Sequence, residues 1–355
     1  AQDFGRLVYG TGKLDAAARK GNPGDYVPSA LMAQTITPQA AAALQSSGIK
    51  CLDVSDNPHL AQLAAQKLCS ISTLKELECS GCPHWISPPP EVAENGGRES
   101  MQFLRECMQD GDVNKELALF LIGDGEAGKT SVMRALMNEA GNTAESIGKD
   151  TRTVGMDMVD WNTKDHQGDE LIFKIKDVGG QHVYMKLHEL FVLDRAVYVF
   201  LWRADRGVEE TLEGSTKWLS LLQSRVPGVA VVPIVTHIDC ESADELERKQ
   251  SQVQQALKKW EDEQRSLPDA KHKPIVRVLK EGHSHGVNCL QGDGIAELRS
   301  ILLDVAATTR GYREPMPRSW MRLRDKLRAM GETSPFISWD AYAEACKECG
   351  IKGNT

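Results

Sequence analysis

Gly123-Asp124-Gly125-Glu126-Ala127-Gly128-Lys129-Thr130 is the stretch that decides how this chain is read. It fits the pattern G-x-x-x-x-G-K-[ST] and directly follows the apolar run Leu117-Ala118-Leu119-Phe120-Leu121-Ile122. That run reads as a buried strand, and Ser131-Val132-Met133-Arg134-Ala135-Leu136-Met137 reads as the first turns of a helix. The strand, loop and helix that a phosphate-binding loop requires are therefore all present. Glycines at 123, 125 and 128 let the backbone turn tightly and bring successive N–H groups, with the positive end of a helix, onto an anion. Lys129 then stands to neutralise the outer phosphates. The Thr130 hydroxyl is suited to Mg²⁺, a hard ion that completes its shell with phosphate oxygens and water. The expectation is a nucleoside triphosphate site; the rival reading, a glycine-rich turn that happens to contain Lys-Thr, leaves the flanking strand and helix unexplained.

Two further segments indicate which nucleotide and what is done with it. Leu171-Ile172-Phe173-Lys174-Ile175-Lys176 has the alternation of a half-exposed strand and delivers Asp177-Val178-Gly179-Gly180-Gln181 at its end. Here Asp177 can hold Mg²⁺ through a water, the Gly180 amide can meet a γ-phosphate and Gln181 can orient an attacking water, as in small GTPases. Upstream, Arg152-Thr153-Val154-Gly155-Met156-Asp157 supplies Thr153 where such proteins place a first switch. Val229–Val235 is another buried-strand run, and it ends in Thr236-His237-Ile238-Asp239. A carboxylate at a strand's C-terminal end lies in the crevice where open α/β sheets bind ligands. It can accept the N1–H and exocyclic N–H₂ of guanine together, a donor pair adenine lacks, and such a site rejects the base that leaves it unpaired. The alternative role for Asp239 is to cap a helix starting near Glu241.

Together these segments resemble the Roc (Ras of complex proteins) GTPase domain of the ROCO family. That family is similar to Ras in fold and often carries Thr-His-x-Asp where Ras-like proteins have Asn-Lys-x-Asp, so Thr236-His237-Ile238-Asp239 departs from Ras in the family's own way. The stretch Arg152–Asp157, with Trp161 after it, resembles the corresponding part of the leucine-rich-repeat kinases. Val287-Asn288-Cys289-Leu290, Gly292-Asp293-Gly294-Ile295 and a helix through Leu298 and Leu302 match the end of a Roc domain, with Cys289 where the family's guanine-contacting loop runs. The resemblance implies an α/β, Ras-like P-loop GTPase domain with a mostly parallel sheet flanked by helices, over residues 113–308. It implies GTP or GDP bound along 123–131, from Gly123 to Ser131, with Thr236, His237, Asp239 and Cys289 at the base. Thr130, Thr153 and Asp177 would hold Mg²⁺, Gly180 would meet phosphate, and Gln181 would be catalytic.

The flanks extend the resemblance. Ile49–Asn57 and Leu74–Cys82 both fit the repeat frame L-x-x-L-x-L-x-x-[NC], with Leu52 and Leu77 separated by 25 residues, a permitted leucine-rich-repeat period. Each unit would place Leu52, Val54, Leu77 and Cys79 in a shared core. The domains are thus read as an unassigned segment 1–48, about two repeats over 49–97, a capping helix or linker over 98–112, the Roc domain over 113–308, and the start of a COR segment over 309–355, cut at both ends of the chain. Gly311–Trp320, followed by a helix through Leu323, Leu327 and Met330, resembles the start of the COR segment that follows Roc in ROCO proteins. In ROCO relatives COR mediates dimerisation and a kinase often follows, so a COR-mediated homodimer, protein partners of the repeats and a kinase beyond this segment are implied.

Composition narrows the classes without choosing among them. The chain has 355 residues, 41% apolar and 26% charged, ordinary globular usage. A net charge of −8 argues against nucleic acid as a partner, which needs a basic face. The longest apolar runs, such as Ala196–Trp202, fall far short of the ~20 residues that span a bilayer. Nine cysteines without framework spacing fit a reducing cytosol, so a cytoplasmic location is expected. Cys79-Ser80-Gly81-Cys82 near His84, and Cys346-Lys347-Glu348-Cys349, each have half the spacing of a zinc site; the repeat frame explains the first pair better, and nothing supplies ligands to the second. His283-Ser284-His285 reads as a solvated loop. Glu241–Arg265 and Thr211–Leu222 read as packed helices. The reading is a GTP-hydrolysing switch within a larger signalling protein; a GTP-holding scaffold with negligible hydrolysis and an ATP-binding P-loop switch are the alternatives.

Overall fold

The computed structural model describes residues 6–8, 45–56, 65–82, 87–138, 156–179, 192–267, 275–279, 285–334 and 336–351. Thr153, Gly180 and Gln181 lie outside them, as do Asn57, His84 and His283. The chain divides into two compact units, residues 1–114 together with 313–355, and residues 115–312.

The first unit begins with three short parallel strands, β1 (Arg6–Val8), β2 (Cys51–Asp53) and β3 (Glu76–Glu78), with Leu7, Leu52 and Leu77 in register. β1 falls in the segment for which the sequence offers no motif. After β2 comes α1 (Ala65–Ser70). Leu52, Val54, Leu77 and Cys79 are all buried in one core, as the repeat frame requires. The Cys82 thiol donates to the Val54 carbonyl at 3.2 Å, which ties the segment after β3 to the one after β2. Past a helical turn at Pro90–Ala93, begun by proline where the missing N–H costs nothing, α2 (Gly97–Asp110) adds Met101, Phe103 and Leu104 to that core. β4 (Gly111–Val113) follows.

The second unit is a doubly wound α/β domain. Its elements are β5 (Glu116–Gly123), α3 (Lys129–Met137), β6 (Met156–Lys164), β7 (Glu170–Val178), β8 (Ala196–Arg203), α4 (Val208–Arg225), β9 (Ala230–Thr236), α5 (Ala243–Ser266), β10 (Arg277–Val278), β11 (Gly286–Val287) and α6 (Ile295–Thr308). The sheet order is β10-β9-β8-β5-β7-β6, with β11 also on β9. Every pairing is parallel except β6 with β7, which runs antiparallel from Met156↔Val178 to Lys164↔Glu170. Period-two alternation sends successive side chains to opposite faces. Leu119, Leu121, Val197, Val199, Val232 and Ile234 meet α3 and α6 on one side. Phe120, Ile122, Tyr198, Phe200 and Val231 meet Trp218, Leu222, Leu257 and Trp260 of α4 and α5 on the other. Each fully buried side chain of this size contributes ~1.5–3 kcal/mol, so two cores hold one sheet rigid. The cross-strand partners Trp161 and Phe173 stack at 5.1 Å, an arrangement that adds ~0.5–1.5 kcal/mol beyond area.

The chain then returns to complete the first unit with β12 (Pro315–Pro317), α7 (Arg318–Thr333) and α8 (Trp339–Glu348). β12 pairs antiparallel with β4, and Trp320 packs edge-on to Phe103 at 5.4 Å. Beside this pairing the Arg313 N–H donates to the Asn114 carbonyl at 2.8 Å, and the Asn114 N–H donates to the Glu314 carbonyl at 2.9 Å.

Candidate functional site

The loop between β5 and α3 owes its shape to two glycines and one residue that is not. At Gly123 φ is 141° and a Cβ would stand 2.3 Å from the Leu201 carbonyl oxygen of β8; only glycine lets the strand turn there. Gly128, at φ 82°, precedes the first residue of α3. The remaining left-handed position is Glu126 at φ 66° rather than Gly125, a conformation that costs a non-glycine ~1–3 kcal/mol unless its surroundings hold it.

The surroundings do so by binding the loop's carbonyls. Lys129 Nζ donates to the carbonyls of Gly123 at 2.9 Å and Asp124 at 2.6 Å. Arg206 donates to Gly125 at 3.4 Å and Arg203 to Glu126 at 3.2 Å. The Thr236 hydroxyl donates to Ala127 at 3.0 Å. Five consecutive carbonyls, 123–127, are therefore engaged by side chains. Lys129 is only 7% exposed; burial pulls its ammonium down to about 8, against the opposing charges of Asp177 and Asp124. A cation so placed is stabilised by any anion that enters the loop.

Beside the lysine, the Thr130 hydroxyl donates to the Asp177 carboxylate at 2.5 Å. Asp177 is fully buried at the end of β7, and Ser131, half-buried, follows on α3. A hydroxyl and a carboxylate side by side at the end of the glycine-rich loop are the hard-oxygen donors that Mg²⁺ takes from protein, one or two at a time. Those residues fit the ion.

At the end of β9, Thr236 is 2% exposed and its hydroxyl lies 3.0 and 3.1 Å from the carbonyls of Ala127 and Trp202. That hydroxyl is engaged by the chain itself. His237, half-buried at φ 56°, leads into the turn Ile238–Cys240; burial first, then the charge of Arg203, hold its imidazole below the usual value. Asp239 is exposed in this turn. The cap of α5 is Ser242, which accepts from the Glu245 N–H at 3.3 Å, so capping is not the work of Asp239. Cys289 lies in the turn after β11, which pairs with β9 through Val287↔Thr236. Burial, and then the charge of Asp239, push its thiol up to about 12. His285, read from sequence as part of a solvated loop, is half-buried with its ring nitrogen 2.6 Å from the Gly294 carbonyl oxygen.

Three residues the sequence did not single out complete the site's support: Arg203, Arg206 and Lys249. Lys249, 8% exposed, donates to the Ala204 carbonyl at 2.7 Å and to Glu241 at 2.6 Å. It fixes the turn between the two arginines.

Residues 118–239 match the family model described as Ras of Complex, Roc, domain of DAPkinase. The chain is similar to the probable serine/threonine-protein kinase pats1 of Dictyostelium discoideum, 24% identical over 79% of this chain and 9% of that protein. It is also similar to a Roc-COR-CHAT protease from an unknown prokaryotic organism, 24% identical over 80% of this chain and 26% of that protein. It thus spans a tenth to a quarter of these relatives' lengths. Among solved structures, Methanosarcina barkeri Roco2 RocCORdC bound to GDP aligns with a TM-score of 0.50, at 23% identity, over 67% of this chain and 63% of the other. The likeness bears out the Ras-like fold expected from the sequence.

Proposed function

With residues 118–239 identified as a Roc domain of the ROCO type, a GTPase-type module, we propose that the chain binds GTP and GDP with Mg²⁺ and hydrolyses GTP slowly, as a nucleotide-dependent switch in a multidomain signalling protein. The observation that carries this reading is the 2.5 Å pairing of Thr130 with Asp177 beside the buried Lys129. It joins the helix after the loop to the strand that leads into Gly179, Gly180 and Gln181. In this reading 123–131 hold the phosphates, with Gly180 at the γ-phosphate. Thr130, Thr153 and Asp177 hold Mg²⁺, which when bound offsets charge on the phosphate oxygens. Asp239 reads guanine, flanked by His237 and Cys289, and Gln181 orients water. Hydrolysis that rests on positioning and charge alone is slow.

We further propose the order of about two repeats, Roc and the start of COR, with boundaries at 49–97, 98–112, 113–308 and 309–355. Protein partners for the repeats, a COR-mediated homodimer and a cytoplasmic location belong to the same proposal. Among the described residues no helix is long and apolar enough to cross a membrane.

The test is binding of fluorescent GDP in Mg²⁺, competed by GTP and by ATP, followed by single-turnover hydrolysis. Displacement by GTP alone, abolished in Asp239→Asn, and hydrolysis slowed in Gln181→Leu are expected. Displacement by ATP as well overturns the guanine assignment; hydrolysis indifferent to Gln181→Leu overturns the catalytic one.

A further inference from the structure

We propose that Arg203 and Arg206 are positioning residues for the nucleotide's phosphates, acting through the backbone of the phosphate-binding loop. The inference deepens the functional reading above and rests on it. Arg203 ends β8 and Arg206 lies in the turn that follows it, neither in any motif that contacts nucleotide. Arg206 Nη2 donates to the Gly125 carbonyl at 3.4 Å, and Arg203 Nη1 to the Glu126 carbonyl at 3.2 Å. A peptide group is planar, so a carbonyl held to one side turns the N–H of the following residue to the other. Binding the carbonyls of Gly125 and Glu126 therefore fixes the amides of Glu126 and Ala127, in the segment whose N–H groups serve an anion.

The same arginines answer a charge problem. Glu126 is a carboxylate within a loop built for anions, and its Oε2 lies 4.0 Å from Arg203 and 3.9 Å from Arg206. The arginines are themselves oriented. Arg203 makes a two-point pair with Asp205 at 2.8 and 2.6 Å, and Arg206 donates to Glu210 at 2.5 Å. Planar guanidinium forks suit such divided duty, in which one edge holds a carboxylate and another reaches a carbonyl. Lys129 holds the carbonyls of Gly123 and Asp124 and Thr236 that of Ala127. Arg206 holds the Gly125 carbonyl, and Arg203, together with the His237 ring, that of Glu126; the left-handed Glu126 sits in that gap.

The test uses the whole chain, freed of nucleotide, titrated with GDP and with GMP in Mg²⁺. Arg203→Gln, Arg206→Gln and the double variant are each made alone and with Glu126→Gln. Expected is a loss of GDP affinity of about tenfold for each arginine and a change of less than about threefold for GMP, which lacks the outer phosphate. Glu126→Gln should restore at least part of the loss, because it removes the charge the arginines screen. Arg203→Lys, which keeps the charge but not the fork, should lose affinity without losing its melting temperature. Equal losses for GDP and GMP, or an unchanged GDP affinity in the double variant, would overturn the proposal. If the wild-type chain instead binds adenine nucleotides, the guanine reading fails while the arginines are judged on ADP against AMP. If it binds no nucleotide, both fall.

Discussion

Replacing Thr236 by valine removes one hydroxyl and almost nothing else. The side chains are of similar shape, Thr236 ends a buried strand where either residue is at home, and its methyl group keeps its place 3.5 Å from where a Cβ on Gly128 would stand. What is lost is a donor 3.0 Å from the Ala127 carbonyl and 3.1 Å from that of Trp202, in a residue 2% exposed. A hydroxyl has one proton, so the loss is one hydrogen bond, and an acceptor left buried without it costs ~1–3 kcal/mol. For a unit of about 200 residues each kcal/mol lowers the melting temperature by about 2–4 °C. Because the orphaned carbonyl belongs to the loop proposed to hold phosphate, part of the cost should appear as weaker GDP binding. Thr236→Ser keeps the donor and loses only a methyl group, about 0.8 kcal/mol. Thermal unfolding and GDP titration of wild type, Ser and Val variants decide the matter. A valine variant that melts and binds as wild type does, or a serine variant that binds GDP worse than valine, refutes the reasoning.

Other outcomes follow from the same geometry. Lys129 titrates near 8 in the free protein, and phosphate raises that value, so binding takes up a proton above about pH 8. GDP affinity should be level below pH 7 and fall towards tenfold per unit above pH 8, with calorimetric proton uptake to match; level affinity through pH 9 excludes it. Gly123→Ala drives a methyl group onto the Leu201 carbonyl in a left-handed backbone and should cost more than ~2 kcal/mol in urea unfolding, with failure shown by an unshifted midpoint. Cys82→Ala removes the thiol bond to Val54 in the first unit and should lower that unit's stability by ~1 kcal/mol; hydrogen exchange of 49–82 that matches wild type would count against it.

The parts of the site that the sequence made legible are those in which residue type and local spacing carry the chemistry. Gly123, Gly128, Lys129 and Thr130 sit within eight residues, and the flanking strand and helix formed where the apolar pattern put them. α5 spans Ala243–Ser266, close to the helix read from Leu246, Val253, Leu257 and Trp260. Arg203 and Arg206 were not legible, because their partners are backbone carbonyls 77 and 81 residues away. A carbonyl has no residue type, so no pattern marks its partner. The strand Pro315–Pro317 was hidden for a different reason. Two prolines in three residues read as a break, and are tolerated only because the strand lies in a two-stranded sheet with free edges. Nor does the sequence reveal that Glu126 takes the left-handed conformation in place of Gly125, since that is imposed by the groups that hold its carbonyl.

The paired hydrogen bonds between Asn114 and residues 313–314 have a thermodynamic meaning for the whole chain. In topological terms residues 115–312 are an insertion, entering and leaving the first unit at a single point. When that insertion unfolds, the first unit must close a flexible loop of about 200 residues, at an entropic cost of about 5 kcal/mol. A folded insertion brings its own ends together and removes that cost. Any ligand that stabilises residues 115–312 therefore also stabilises the first unit, by coupling through chain connectivity alone.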